Sequence, residues 1–164
     1  MAISRKELEE FYVADEARLF NFALRWTWNR SLAEEIVHDA LIRIWERRDL
    51  VNGGTIRSLA FKTIQNLALN EIRKTKLREK VPLMDWLMLG AAESPEAEYA
   101  GKQELLNLEK KISRLPFELK EVLLLCEYSE LSYSEIGKIL KIPEGTVASR
   151  RNRAIHQMKE DING

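Results

Sequence analysis

Residues 131 to 158 read L-S-Y-S-E-I-G-K-I-L-K-I-P-E-G-T-V-A-S-R-R-N-R-A-I-H-Q-M, and this stretch decides the architecture. Ser132 followed three residues later by Glu135 is a capping box, so a helix is predicted from about Tyr133. Ile136, Ile139 and Leu140 give that helix one apolar stripe. Pro143 suits the first position of a second helix, where no backbone N–H is needed, and Glu144 is favourable against the positive end of its dipole. Room for only a three- or four-residue turn remains around Lys141. A short helix, a tight turn and a second helix ending basic is the layout of a helix-turn-helix that reads DNA. An amphipathic helical hairpin with solvated arginines satisfies the same apolar pattern, so the motif alone leaves both open.

The second helix divides by face. Val147, Ala154 and Met158 fall on one side with Ile155 beside them, while Gly145, Ser149, Asn152, Arg153 and His156 lie opposite, flanked by Thr146 and Arg150. Gly145, Thr146, Ala148 and Ser149 are small and come first, so the backbone can approach a groove closely there. Asparagine and arginine make bidentate contacts with base edges, and arginine also serves phosphates. Arg151 sits near the apolar side and must snorkel along its neighbours or reach a phosphate from the flank.

Composition narrows the function. The chain has 164 residues, 45% hydrophobic and 32% charged, enough for one ordinary domain or two small soluble ones. No signal peptide is recognised, and no apolar run approaches the roughly 20 residues of a membrane span. Those features point to the cytoplasm, with no membrane insertion. Cys126 is the single cysteine, which excludes an internal disulfide and suits a reducing compartment. Within L-L-L-C-E-Y it reads as a buried small hydrophobe. With only His38 and His156 beside it, no metal site and no cofactor is expected. No nucleophile–base pair or phosphate loop appears, so the chain does not read as an enzyme.

The net charge is zero, from 26 basic and 26 acidic residues, which is unusual for a protein that grips DNA alone. Residues 57 to 80 carry a net charge of +5 and residues 93 to 109 a net of −4. Non-specific DNA affinity comes mainly from neutralised phosphates, so the isolated chain should bind DNA poorly. Something else should deliver it.

The fold class expected is all-α, with two small helical domains joined by a linker and the helix-turn-helix in the second. Residues 1–80 form the first domain. Leu8, Phe11, Tyr12, Leu19, Phe20, Ala23 and Leu24 supply helical spacing up to a break at Trp26–Ser31. Ser31, with Glu34 in capping-box position, starts a second helix that runs to about Arg48. Asn52-Gly53-Gly54-Thr55 is a loop, and a third helix runs from about Ile56 to Lys76. Residues 81–100 form the linker, first apolar (V-P-L-M-D-W-L-M-L), then acidic and interrupted by Pro95. Its apolar part packs as a short helix or docks on a partner. Residues 101–164 form the second domain, with a helix from about Phe117 to Tyr128 before the helix-turn-helix.

Two further faces stand out. On the second helix, Val37, Leu41 and Ile44 face one way, and Glu35, Asp39, Arg43 and Glu46 line the other with Ile42 among them. These charges either form i,i+4 pairs on a solvated face or set the register of a protein-docking face around one apolar anchor. On the third helix, Lys62, Asn66, Asn70 and Arg73 share a face. Amides and cations together suit a nucleic-acid reader, although an ordinary polar face with a basic end matched to the helix dipole looks the same.

With these motifs in order along its length, the chain resembles a bacterial sigma factor of the extracytoplasmic-function type, the small two-domain class. L-F-N-F-A-L-R and S-L-A-E-E-I-V-H-D-A-L-I-R-I-W resemble that family's first domain, and F-K-T-I-Q-N-L-A-L-N-E-I-R-K its promoter-reading helix. I-S-R-L-P-F-E-L-K-E-V-L-L-L and L-S-Y-S-E-I…G-T-V-A-S-R resemble its C-terminal domain. The resemblance implies a non-enzymatic specificity subunit that binds core RNA polymerase and directs it to promoters. Glu35, Asp39, Ile42, Arg43 and Glu46 would dock on the clamp helices of the largest polymerase subunit, with other subunits along the linker. Asn52, Gly53, Lys62, Asn66, Asn70 and Arg73 would recognise and open the −10 element by capturing a base out of the stack. Gly145, Thr146, Ala148, Ser149, Arg150, Asn152 and Arg153 would read the −35 duplex. An anti-sigma factor, often membrane-associated, is a common regulator. The chain departs from the family at Leu59, Lys141, Ala148 and Arg151, where tryptophan, glycine, a basic residue and leucine are usual, and at Asn70, where an acidic residue is common. The competing reading is a stand-alone helix-turn-helix regulator with a helical dimerisation or ligand domain.

Overall fold

Apolar spacing in the first part of the chain becomes three helices in the computed structural model, which describes residues 2–51, 55–78 and 95–163. They are α1 (Arg5–Thr27), α2 (Arg30–Glu46) and α3 (Ile56–Arg78), with a 3-10 turn at Arg48–Leu50. Ser4 caps α1 through a capping box with Glu7. The core between them is Leu19, Phe22, Ala23 and Trp26 from α1, Ala33, Ile36, Ala40 and Ile44 from α2, and Ala60, Phe61, Ile64 and Ala68 from α3. Phe22 and Phe61 meet edge to face, with centroids 5.1 Å apart, the geometry that aligns a ring's positive edge with its neighbour's negative face. Phe22 and Trp26 are core residues that the predicted spacing did not single out. Phe20, which it did, is only half-buried.

The start of α2 corrects the sequence reading. Asn29, not Ser31, is the N-cap, and its side chain accepts from the Leu32 amide at 3.0 Å. The reason lies one residue earlier. Trp28 ends α1 in the left-handed conformation (φ 53°), donating its N–H to the Leu24 carbonyl. The chain therefore turns at once and re-enters a helix two residues sooner than the Ser31–Glu34 pattern suggests. The helix also stops at Glu46, and Arg48 belongs to the 3-10 turn.

A second unit, described by itself, holds α4 (Pro95–Ser113), α5 (Phe117–Tyr128), α6 (Tyr133–Leu140) and α7 (Glu144–Asn163). The division between units falls at Lys80 and Val81. α4 begins at Pro95 rather than near Gly101, so the last six residues of the expected linker are helical. Proline is suited to a helix's first turn. The apolar segment 81–89, expected to pack or to dock on a partner, lies outside the described residues. Leu115, Leu119, Leu123 and Ala154 form the core with Ile155 and Met158 against it, and Val122, Leu124, Leu125, Ile136 and Val147 are also buried. Cys126 is only half-buried. Burial still pushes its thiol up to about 11, against the opposing pull of Arg151.

Candidate nucleic-acid interface

The helix-turn-helix forms where the sequence places it. Ser132 accepts from the Glu135 amide at 3.1 Å and Glu135 reaches back to the Ser132 N–H, starting α6 at Tyr133. Lys141 ends it with φ 60° and ψ 45°, in the left-handed conformation that favours the glycine usual there in the resembled family. Both Lys141 and Ile142 donate their N–H groups to the Gly137 carbonyl, a Schellman-like closure that satisfies the end of the helix. Gly137 is buried, and a β-carbon there would sit 2.7 Å from the Ile142 carbonyl oxygen. That close approach swings the chain directly into α7. The Pro143 carbonyl accepts from Thr146 and Val147, and the helix itself runs from Glu144, one residue after the predicted first position.

On α7, Val147 and Ala154 are buried and hold the helix to its unit. Gly145, Ser149, Asn152 and Arg153 are exposed, while Thr146, Ala148 and Arg150 are half-buried. Arg151 does not need a phosphate to satisfy it. Its Nη2 lies 3.5 Å from Glu127 Oε1 on α5, a cross-helix ion pair that the sequence reading did not foresee.

On α2, Glu35, Asp39, Ile42, Arg43 and Glu46 are all exposed, with Ile42 at 43%. Among the described residues, Glu35, Asp39 and Arg43 form no ion pairs with one another, so pairing along the helix does not account for this face. Beside it, α1 and α2 enclose a groove of about 690 Å³ lined by Tyr12, Val13, Phe20, Glu34, His38 and Leu41. Val13 is 76% exposed there. Burial and the neighbouring Glu16 raise the Tyr12 pKa. Only packing of two helices reveals this groove.

On α3, Lys62, Asn66, Asn70 and Arg73 are all exposed on one face. Asn52 and Gly53 lie outside the described residues. The structure also joins what the sequence kept apart. Arg43 from α2 and Arg47, which caps that helix, line a depression of about 150 Å³ together with Leu59, Thr63, Asn66 and Asn70 from α3. Arg43 therefore lies both on the exposed α2 face and beside the α3 face, with Arg47 next to it. The i,i+4 step from Arg43 to Arg47 was the available signal, but it points at α3 only once the helices are packed. No helix among the described residues is long and apolar enough to cross a membrane.

Comparison with known proteins gives this geometry a family. The model of sigma-70 region 2 matches residues 11–78, and that of sigma-70 region 4 matches residues 105–158. The chain is 28% identical over 145 residues to the ECF RNA polymerase sigma factor SigE of Mycolicibacterium smegmatis, covering 87% of this chain and 56% of that protein. It is 27% identical over 155 residues to the ECF sigma factor SigL of Mycobacterium tuberculosis, covering 93% and 86%. Among solved structures, the fold is similar to the sigma factor RpoE in complex with the anti-sigma factor NepR from Bartonella quintana. That match has a TM-score of 0.73 at 22% identity, over 96% of this chain and 98% of that one. It is also similar to CnrH in complex with the cytosolic domain of CnrY, with a TM-score of 0.71 at 16% identity over 98% and 90%. The chain thus belongs to the sigma-70 family, in its extracytoplasmic-function class of RNA polymerase promoter-recognition subunits.

Proposed function

We propose that this chain, acting in the cytoplasm and without catalytic chemistry of its own, binds core RNA polymerase and sets its promoter choice through two DNA grips. Residues 1–80 bind polymerase and the −10 element, residues 81–100 connect, and residues 101–164 bind the −35 element. The observation that carries this reading is the pair of exposed amide-and-cation faces, one in each unit, on a chain with no net charge. Each grip alone neutralises few phosphates, and affinity for DNA is weaker the fewer phosphates a protein neutralises. Polymerase supplies what the chain lacks by holding both grips on one promoter.

The α2 face of Glu35, Asp39, Ile42, Arg43 and Glu46 docks on the polymerase clamp helices, and the neighbouring groove widens the apolar contact. Lys62, Asn66, Asn70 and Arg73, with Asn52 and Gly53, take the −10 element. A cavity of about 150 Å³ accommodates one six-membered ring, so the depression beside Asn66 and Asn70 has room for an extruded base. Unstacking that base costs a few kcal/mol, which these contacts offset. Gly145, Thr146, Ala148, Ser149, Arg150, Asn152 and Arg153 enter the major groove of the −35 duplex. An anti-sigma factor is the expected regulator, as one structural neighbour is held in complex with such a partner and the other with a cytosolic domain. The test is reconstitution: the chain added to core polymerase should open a transcription bubble on a restricted set of promoters.

A further inference from the structure

α3 carries its exposed face on a helix that is held to α1 and α2 by apolar packing, with Phe61 edge to face on Phe22. Its buried apolar residues are Ile56, Ala60, Phe61, Ile64 and Ala68, and the two alanines let α1 and α2 approach closely between the larger side chains. A charged contact is added to that apolar packing. Asp15 of α1 is 1% exposed, and Arg57, in the first turn of α3, binds it through two nitrogens. Nε lies 2.8 Å from Oδ2 and Nη2 lies 3.3 Å from Oδ1. Arg18 Nη1 reaches the same Oδ1 at 2.9 Å.

A carboxylate withdrawn from water is costly unless it is paired and hydrogen-bonded, and removing one partner of such a pair leaves the other charge buried and uncompensated. The planar fork of an arginine on a carboxylate fixes direction as well as distance. Arg57 thereby adds a restraint, beside the packing of Phe61 and Ile64, on where α3 starts and how it is rotated. A helix turns by about 100° per residue, so the azimuth of Lys62, Asn66 and Asn70, one to four turns further on, is set with it.

We propose that Asp15 is a positioning residue for −10 recognition, acting through Arg57 to hold the α3 face and its shared depression with Arg43 and Arg47 in the orientation that discriminates bases. The inference rests on the reading of α3 as the −10 helix. A misplacement of about 1 Å in a site that must align specific groups costs up to about a hundredfold.

The experiment uses the full chain with core polymerase on templates carrying single base substitutions across the −10 element. Its readout is the ratio of open complex on the preferred base to that on the others, with core association and −35 duplex affinity measured alongside. Asp15→Asn keeps the side chain's size and removes the charge. Arg57→Gln leaves Asp15 its Arg18 partner and covers the case in which Asp15→Asn fails to fold. Both variants should retain core association and −35 affinity while the −10 discrimination ratio falls about 10- to 100-fold. Unchanged discrimination in Arg57→Gln overturns the inference. So does a loss of open complex that tracks the folded fraction with the ratio intact, since that is a structural role only. A parent chain that opens promoters with no −10 preference would overturn the reading of α3 and this inference with it.

Discussion

Replacing Gly137 by alanine tests the turn that joins α6 to α7, because two opposing effects can be weighed. In an ordinary helix the change gains about 1 kcal/mol, the difference in helix propensity between glycine and alanine. Here the new β-carbon would stand 2.7 Å from the Ile142 carbonyl oxygen, where ordinary contact begins at 3.4 Å. The obstacle is backbone, so no side chain can swing aside. Ile142 also donates its own N–H to the Gly137 carbonyl at 3.0 Å, so moving it strains the closure of α6. Overpacking of this kind costs about 1–3 kcal/mol, and a weakened cap bond adds about 1 kcal/mol. The clash wins, and Gly137→Ala should destabilise the second unit by about 1–3 kcal/mol. In a unit of this size each kcal/mol moves Tm by about 4–8 °C. Hydrogen exchange at the α5, α6 and α7 amides of the full chain reports this unit separately from the first. Lys141→Gly is the control of opposite sign. Relief of a left-handed lysine returns about 1–2 kcal/mol, less about 0.4–1 kcal/mol of unfolded-chain entropy. An alanine variant as stable as the parent, or more so, would refute the close-approach argument.

Three other outcomes are expected. Asp39→Arg combined with Ile42→Asp should abolish co-purification with core polymerase while leaving helical content unchanged; retained association would show that the α2 face is not the docking surface. Arg153→Ala should weaken −35 duplex binding by about 1–3 kcal/mol with relaxed preference at one base pair, and a loss uniform across sequences would assign Arg153 to a phosphate. Cys126 should alkylate about a hundredfold more slowly at pH 8 in the folded chain than in the unfolded one, because burial lifts its thiol from 9.0 to about 11 and the thiolate is the reactive form. The unfolded thiol ionises first, so this contribution to stability is intact below about pH 9 and is lost towards pH 11. A folded thiol that reacts at the unfolded rate at pH 8 would contradict the burial argument.

What the sequence disclosed was local chemistry. The Ser132–Glu135 box, the turn at Lys141 and the α3 stripe from Lys62 to Arg73 each lie within a few turns of chain, so spacing alone exposes them. The same local logic misplaced the start of α2. Ser31 and Glu34 fit a capping box, but the left-handed Trp28 handed the cap to Asn29. Contacts between distant residues stayed hidden. Arg151 and Glu127 meet across 24 residues, and in sequence Arg151 looked like an arginine without a place. Asp15 and Arg57 meet across 42, and Asp15 within V-A-D-E-A-R reads as one more solvated charge until α1 and α3 are packed. Arg43 likewise pointed towards a protein partner until α3 supplied Asn66 and Asn70 beside it.

The central claim is that neither DNA-suited face works alone and that polymerase makes them a pair. The most direct measurement is permanganate reactivity of promoter thymines with the chain alone, core polymerase alone and the two combined. A −10 bubble is predicted only in the combination, on promoters that carry both elements at a fixed spacing. Tight binding of the isolated chain as a dimer to a palindromic duplex, with no bubble when polymerase is added, would contradict it.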